Sequence, residues 1–159
     1  MTSSTSGSPE VAGDGPLSFA IFNLARVHRA HAAGLLRELG LHPGQELLLM
    51  QLLDRDEQTQ SELLEAVGLD HSTVSKSLRR MQEAGLLIRR PAEHDRRVQL
   101  VTLTDAGRAL RQPLERMWAD LERISTQGLS PQEITAFIHT AETIRHSMLN
   151  SSSPKKPTT

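Results

Sequence analysis

The sequence predicts a mainly α-helical chain carrying one small β-hairpin. Apolar residues recur at helical spacing through most of the chain, as in Val74, Leu78 and Met81, or Leu110, Leu114, Met117 and Leu121. Two short apolar or β-branched runs, 86–90 and 98–103, flank the polar, charged segment 91–97, which is longer than a tight turn. Capping patterns and glycines punctuate the rest at intervals that suit helices of two to six turns.

The elements follow in order. Residues 1–16 are a Ser-, Gly- and Pro-rich tail that cannot bury apolar area. Residues 150–159 read the same way, so both are expected to be disordered. Residues 17–39 read as one long helix, with Leu17, Ile21, Leu24, His28, His31 and Leu35 on a stripe and Phe19 and Phe22 off it. A helix apolar on more than one side needs burial from more than one direction, and in a short chain the expected second surface is another subunit. Gly40 ends this helix. Pro43 sits where a first helical residue would, and 43–53 reads as a core helix that is apolar nearly all round.

Thr59-Gln60-Ser61-Glu62 is a capping-box pattern opening a helix to about Val67. Gly68 breaks it, and the next helix starts near Asp70 or His71 and runs to Ala84. After the hairpin, Thr104 caps a further helix, which Pro113 is expected to kink or to give an irregular first turn. Its Leu110, Leu114, Met117, Leu121 and Ile124 form a seam stepping by four and three. Ser130-Pro131-Gln132-Glu133 joins a cap, a proline at the first helical position and a glutamate at the third. The last helix is expected to bury Ile134, Phe137, Ile138, Ala141, Ile144 and Met148.

Composition narrows the function classes. A chain of 159 residues suits one domain with helical extensions, and 37% hydrophobic with 23% charged residues suits a globular protein. No 18-residue apolar run occurs, so no membrane-spanning helix is expected. The first sixteen residues lack a basic start and an apolar stretch, so no secretory signal is expected and the expected compartment is the cytoplasm. The absence of cysteine excludes disulfides, thiolate metal sites and thiol redox sensing. None of H-E-x-x-H, G-x-x-x-x-G-K or G-x-S-x-G occurs, and no enzyme is expected.

Two short helices joined by a tight turn and followed by a charged hairpin make a winged helix–turn–helix, here flanked by helices at both ends. The net charge of −1 says nothing for a nucleic-acid partner, but residues 76–97 hold seven cations against three anions. Such a local patch attracts phosphate while the remaining surface stays neutral. The outer face of the second helix carries Ser72, Thr73, Ser75, Lys76 and Arg79. These are small polar groups for phosphates or base edges near a helix N-terminus, and cations that reach guanine acceptors. Arg96 and Arg97 at the hairpin tip suit a narrow, negative minor groove. With three Phe, one Trp and no Tyr, the chain lacks stacking platforms for single strands.

These segments resemble the MarR-type transcriptional regulators. The matching residues are Gly40-Leu41-His42-Pro43-Gly44-Gln45, Ser72-Thr73-Val74-Ser75-Lys76 and Gly85-Leu86-Leu87-Ile88-Arg89-Arg90. Asp95-Arg96-Arg97 followed by Leu103-Thr104-Asp105-Ala106-Gly107 is the most diagnostic part. The resemblance covers roughly residues 17–148 and implies one domain over 17–149, with a winged helix–turn–helix at 43–103 and dimerisation helices at 17–42 and 104–149. It implies a homodimer reading a pseudo-palindromic operator in double-stranded DNA, with half-sites ~34 Å apart. It also implies a repressor released by a small-molecule effector. Asp95 would pair with Arg97 and aim it into the minor groove, Arg96 would be a second tip contact, and one of Arg89 and Arg90 would face a phosphate.

An effector pocket would lie between the first helix, the second helix and the helix carrying Trp118, with Arg26, His28, His31, Met50 and Trp118 as candidates. The same residues also read as packing or surface positions. His28 and His31, three apart with His42 near, invite a metal, but no carboxylate clusters with them. No metal site or other cofactor is expected. A winged-helix module that has lost DNA binding is the alternative, and the intact Ser/Thr/Lys/Arg face argues against it.

Overall fold

The computed structural model describes residues 13–151; the rest of both expected tails lies outside the described residues. The described chain divides after Leu121 into two compact units.

In the first unit, α1 (Pro16–Glu38) opens on Pro16, whose fixed φ and missing amide suit a first turn. It closes where Gly40, at φ 72°, lets the Leu41 N–H return to the Leu36 carbonyl at 2.9 Å. Leu36 is buried, whereas Leu17, Ile21, Phe22, Leu24 and Val27 are exposed. The unsatisfied apolar face expected of this helix is therefore present.

The second helix does not start at Pro43. Pro43 and Gly44 form a turn, and α2 (Gln45–Asp54) follows Gly44 at φ 94°, a left-handed conformation that favours glycine. The turn is closed by side chains: the Gly44 N–H donates to Glu46 Oε2 at 2.7 Å and the His42 N–H to Gln45 Oε1 at 2.9 Å. Leu48, Leu49 and Leu52 of α2 are fully buried, as its composition demands.

A two-residue strand, β1 (Gln58–Thr59), leads into α3 (Gln60–Val67). Thr59 caps α3 with both halves of a capping box: its hydroxyl accepts from the Glu62 N–H at 3.1 Å, and Glu62 Oε2 accepts from the Thr59 N–H at 2.7 Å. Gly68 ends α3 in the left-handed region, and α4 (His71–Glu83) follows. Strands β2 (Leu87–Pro91) and β3 (Gln99–Leu103) form the hairpin, and β1 lies antiparallel on the other edge of β3, giving the order β1–β3–β2. The core is the meeting of Leu48, Leu49, Leu52, Leu63, Leu78 and Met81 with Leu87 and Val101. Each fully buried Leu contributes roughly 1.5–3 kcal/mol, so this cluster dominates the unit's stability.

Thr104 caps α5 (Asp105–Ala109), accepting from the Gly107 N–H at 3.1 Å. The expected irregularity at Pro113 takes the form of a break at Leu110, after which α6 (Arg111–Ser125) begins with Pro113 in its first turn. Leu114, Met117 and Leu121 of its seam are buried.

The second unit contains α7 (Pro131–Ser151), capped as expected: the Ser130 N–H donates to Glu133 Oε2 at 2.8 Å and the Glu133 N–H to Ser130 Oγ at 3.3 Å. The expectation that α7 buries its apolar stripe fails within one chain. None of its residues is buried, Ile134 and Ile144 are half-buried, and Phe137, Ile138 and Met148 are exposed.

The caps carry a pH signature. Glu62 and Glu133 are held below the ordinary carboxylate range first by the backbone N–H groups of Thr59 and Ser130. Asp70 is held low by the Thr73 hydroxyl and then its amide, and Glu142 by Arg145. Each contribution is complete above the unfolded carboxylate value of about 4 and is lost as pH falls through the lower folded value. Glu46 is shifted up by burial and so opposes this in the same window. With four groups against one, stability is expected to fall steadily from pH 5 to pH 3 in urea unfolding. A flat or rising profile would contradict it.

Candidate nucleic-acid interface

The turn Gly68–Leu69–Asp70 sets α4 against α3. Asp70 caps α4: its Oδ1 accepts from the Thr73 N–H at 2.9 Å, and the Thr73 hydroxyl donates to Oδ2 at 2.5 Å. Val74, Leu78 and Met81 are fully buried and fix the helix's roll. That roll leaves Ser72, Lys76 and Arg79 exposed on the opposite face, with Ser75 half-buried beside them.

The expected outer-face residues therefore divide. Ser72, Lys76 and Arg79 are open to a ligand. The Thr73 hydroxyl is spent on the cap, and Ser75 Oγ accepts from Gln60 Nε2 at 2.7 Å. Among the described residues Arg79 has only an exposed pair with Glu83 at 3.7 Å, which solvent screens and a phosphate can replace.

The wing is anchored at its base. Asp56 Oδ1 accepts from the Leu103 N–H at 3.0 Å, and its Oδ2 accepts from Arg108 at 2.7 Å. Arg90 of β2 pairs with Glu57, and Arg89 Nε donates to Gln82 Oε1 of α4 at 2.6 Å. Both of these cations therefore serve the wing's own attachment. At the tip, Asp95 Oδ1 accepts from the main-chain N–H of Arg97 at 2.9 Å, and the Val98 N–H donates to the Asp95 carbonyl at 2.9 Å. Asp95 thus fixes Arg97 through its backbone, and no ion pair joins the two side chains among the described residues. Arg96 is exposed; Arg97, also exposed, lines a cleft with Gln60 and Ser61 of α3 and His71 of α4. Lys76, Arg96 and Arg97 have no carboxylate partner among the described residues, so their charge is free to act outward.

Sequence reasoning missed Gln60. Its contact is with a residue fifteen positions away, and the only signal was its place just after the Thr59 cap.

The candidate effector residues do not converge. Met50 and Trp118 line one depression with Leu53, Asp54, Arg111 and Glu115, whereas Arg26, His28 and His31 are exposed on α1 and do not line it. Trp118 is 38% exposed. Among the described residues no group of three or more His, Asp or Glu is placed to hold a metal ion, and no helix is long and apolar enough to cross a membrane.

A helix–turn–helix, a three-stranded wing and flanking helices in this order define a winged helix–turn–helix protein. Residues 30–98 match the family model described as the MarR family. The fold likewise superposes on an Escherichia coli MarR variant complexed with operator DNA, with TM-score 0.77 and 22% identity, covering 86% of this chain and 99% of that one. It superposes similarly on Bordetella bronchiseptica BpsR, with TM-score 0.76 and 23% identity over 87% and 98% of the two chains. Over residues 30–98 the chain is thus similar to the MarR family, and the likeness to these solved structures is one of fold.

Among curated proteins it is 30% identical over 96 residues to the organic hydroperoxide resistance transcriptional regulator of Bacillus subtilis (strain 168), covering 60% of this chain and 65% of that protein. It is 39% identical over 61 residues to the uncharacterized HTH-type transcriptional regulator YdgJ of the same organism, covering 38% and 37%. The chain thus spans less than two thirds of either curated relative's length.

Proposed function

We propose that this protein is a homodimeric, sequence-specific DNA-binding transcriptional regulator, a ligand-responsive repressor acting in the cytoplasm. The observation that carries this reading is the joint placement of two cationic elements in one unit. The exposed Ser72, Lys76 and Arg79 lie on α4, and Arg96 and Arg97, which have no carboxylate partner among the described residues, lie on the wing. α4 enters the major groove, Ser72, Lys76 and Arg79 contact base edges or phosphates, and the wing arginines enter the adjacent minor groove. Thr73 and Asp95 act by holding the helix start and the wing tip in shape. The E. coli MarR variant of the same fold is complexed with operator DNA, which supports the assignment of the partner.

The effector is a small organic molecule seated over Met50 and Trp118, where an apolar floor meets Arg111 and Glu115. The regulation of BpsR's DNA binding by 6-hydroxynicotinic acid supports this class of ligand. Peroxide sensing through a thiol is not carried over from the hydroperoxide regulator, because this chain has no cysteine.

The test is binding to the protein's own upstream DNA and to an unrelated duplex, at two salt concentrations, for the wild type and Arg97→Ala. Selective binding that loosens with salt is expected. Arg97→Ala is expected to weaken it about 10- to 100-fold, the range of a charge-assisted hydrogen bond, with dimer mass unchanged. If the dimer mass falls in step with binding, the wing assignment is wrong.

A further inference from the structure

Ser75 is bonded unlike three hydroxyl residues of α7. Thr135, Thr143 and Ser147 of α7 each donate to the carbonyl four residues earlier, at 2.9, 3.0 and 3.0 Å. That back-bond is a common local fate of a helical hydroxyl. Ser75 makes no such bond among the described residues; its oxygen accepts from Gln60 Nε2 at 2.7 Å. A serine hydroxyl has one O–H to give and two lone pairs to receive with. Gln60 occupies a lone pair, which leaves the O–H to point elsewhere.

The backbone that carries Gln60 is itself held in place. Gln60 is the first residue of α3, next to the Thr59 cap, and Thr59 is paired through β1 with Leu100 of the wing strand β3. Both Gln60 and Ser75 are half-buried, so water competes only partly for their bond. Ser75 lies one helical turn from both Ser72 and Arg79, on the edge of the exposed α4 face.

We infer that Gln60 is a positioning residue that makes Ser75 a hydrogen-bond donor toward DNA. The base beneath Ser75 is then selected for an acceptor edge over the cytosine amino group. In the major groove the acceptors are purine N7, guanine O6 and thymine O4, while cytosine presents only an N4 donor. The inference rests on the DNA-reading function proposed above and adds what one of its contacts distinguishes.

A double-mutant cycle tests it. Gln60→Ala, Ser75→Ala and the double variant of the full chain are compared by thermal unfolding. Their sequence preference is compared by selection from a random double-stranded pool, followed by titration against each base at the selected position. Gln60→Ala is expected to lose about three- to tenfold discrimination at one position, the range of one neutral hydrogen bond. Ser75→Ala is expected to lose the same discrimination, and the double variant no more than either. Gln60→Glu, whose carboxylate only accepts, is expected to capture the Ser75 O–H and shift preference toward the cytosine amino group.

Additive losses in the cycle overturn the inference, as does a uniform fall in affinity for every sequence, which is what a merely structural contact gives. If the wild type selects no sequence while the two residues still couple in unfolding, the regulator reading fails and the role of Ser75 falls with it.

Discussion

Replacing Gly107 with alanine is expected to lower the unfolding free energy by about 3 kcal/mol and the melting temperature by about 10 °C. A Cβ at this position would sit 2.1 Å from the Leu86 carbonyl oxygen, 3.0 Å from Leu103 Cδ2 and 3.1 Å from the Leu86 carbonyl carbon. Two of these three neighbours are backbone atoms, which cannot swing aside as a side-chain end can. They are also tied down: the Thr104 N–H donates to the same Leu86 oxygen at 3.0 Å, and the Thr104 hydroxyl donates to the Gly85 carbonyl at 2.6 Å. Making room therefore means parting the α5 cap from the start of β2, at the root of the wing.

Helix propensity pulls the other way, since alanine is favoured over glycine by about 1 kcal/mol in a helix interior. The clash outweighs that preference. Gly34 provides the contrast. It lies inside α1, where the nearest atom to a new Cβ is Arg37 Nη2 at 3.8 Å, so Gly34→Ala is expected to stabilise by about 0.5–1 kcal/mol. Thermal and urea unfolding of both variants would decide it. A neutral or stabilised Gly107→Ala protein would sink the close-approach account.

In the Leu103-Thr104-Asp105-Ala106-Gly107 segment the Thr104 cap was legible locally and the rest came through the MarR resemblance; the contact supplies its physical reason, since Thr104 closes both the cap and the strand turn and a Cβ at Gly107 would collide with Leu86. Local signals of this kind were legible. The Thr59–Glu62 and Ser130–Glu133 boxes are written in four consecutive residues, and the Val74, Leu78 and Met81 stripe gives the roll of α4.

What was illegible depended on distant partners or on backbone angles. Pro43 signalled a helix start, but the left-handed Gly44 displaced it to Gln45. β1 has two polar residues and no periodicity; it exists because Gln58 and Thr59 pair with Val101 and Leu100 of β3, far along the chain. The buried Gln58 donates to the carbonyls of Gln51 and Arg55, at 2.9 and 2.5 Å, bonds that no local pattern announces. In the candidate interface, the outward face of α4 was readable, but the division of labour within it was not. Asp95 serves the backbone of Arg97, and Ser75 is engaged by Gln60.

The apolar stripe of α7 leads to the other large effect. Phe137 and Ile138 are each 57% exposed and Met148 is 64% exposed, on a helix with no buried residue. α1 separately exposes Leu17, Ile21, Phe22, Leu24 and Val27. Fully burying one such side chain is worth roughly 1.5–3 kcal/mol, so faces of this size in water oppose a stable monomer. Under the proposed homodimer a second copy covers them, and Ile138→Glu places a charge where no partner awaits it. The variant is expected to be monomeric at micromolar concentration by light scattering. Its operator affinity is expected to fall by about 100-fold or more, because joining two half-site contacts in one molecule is worth 10²–10⁴ in affinity. Phe22→Glu in α1 is expected to act in the same direction. The core of the first unit, built on Leu48, Leu78 and Val101, contains neither residue, so weak, salt-dependent binding to unrelated duplex should persist in the monomer. A dimer that survives both substitutions would remove α1 and α7 from the subunit interface. A monomer that still binds the operator tightly would show that one winged unit suffices, and the paired half-site reading would then have to be given up.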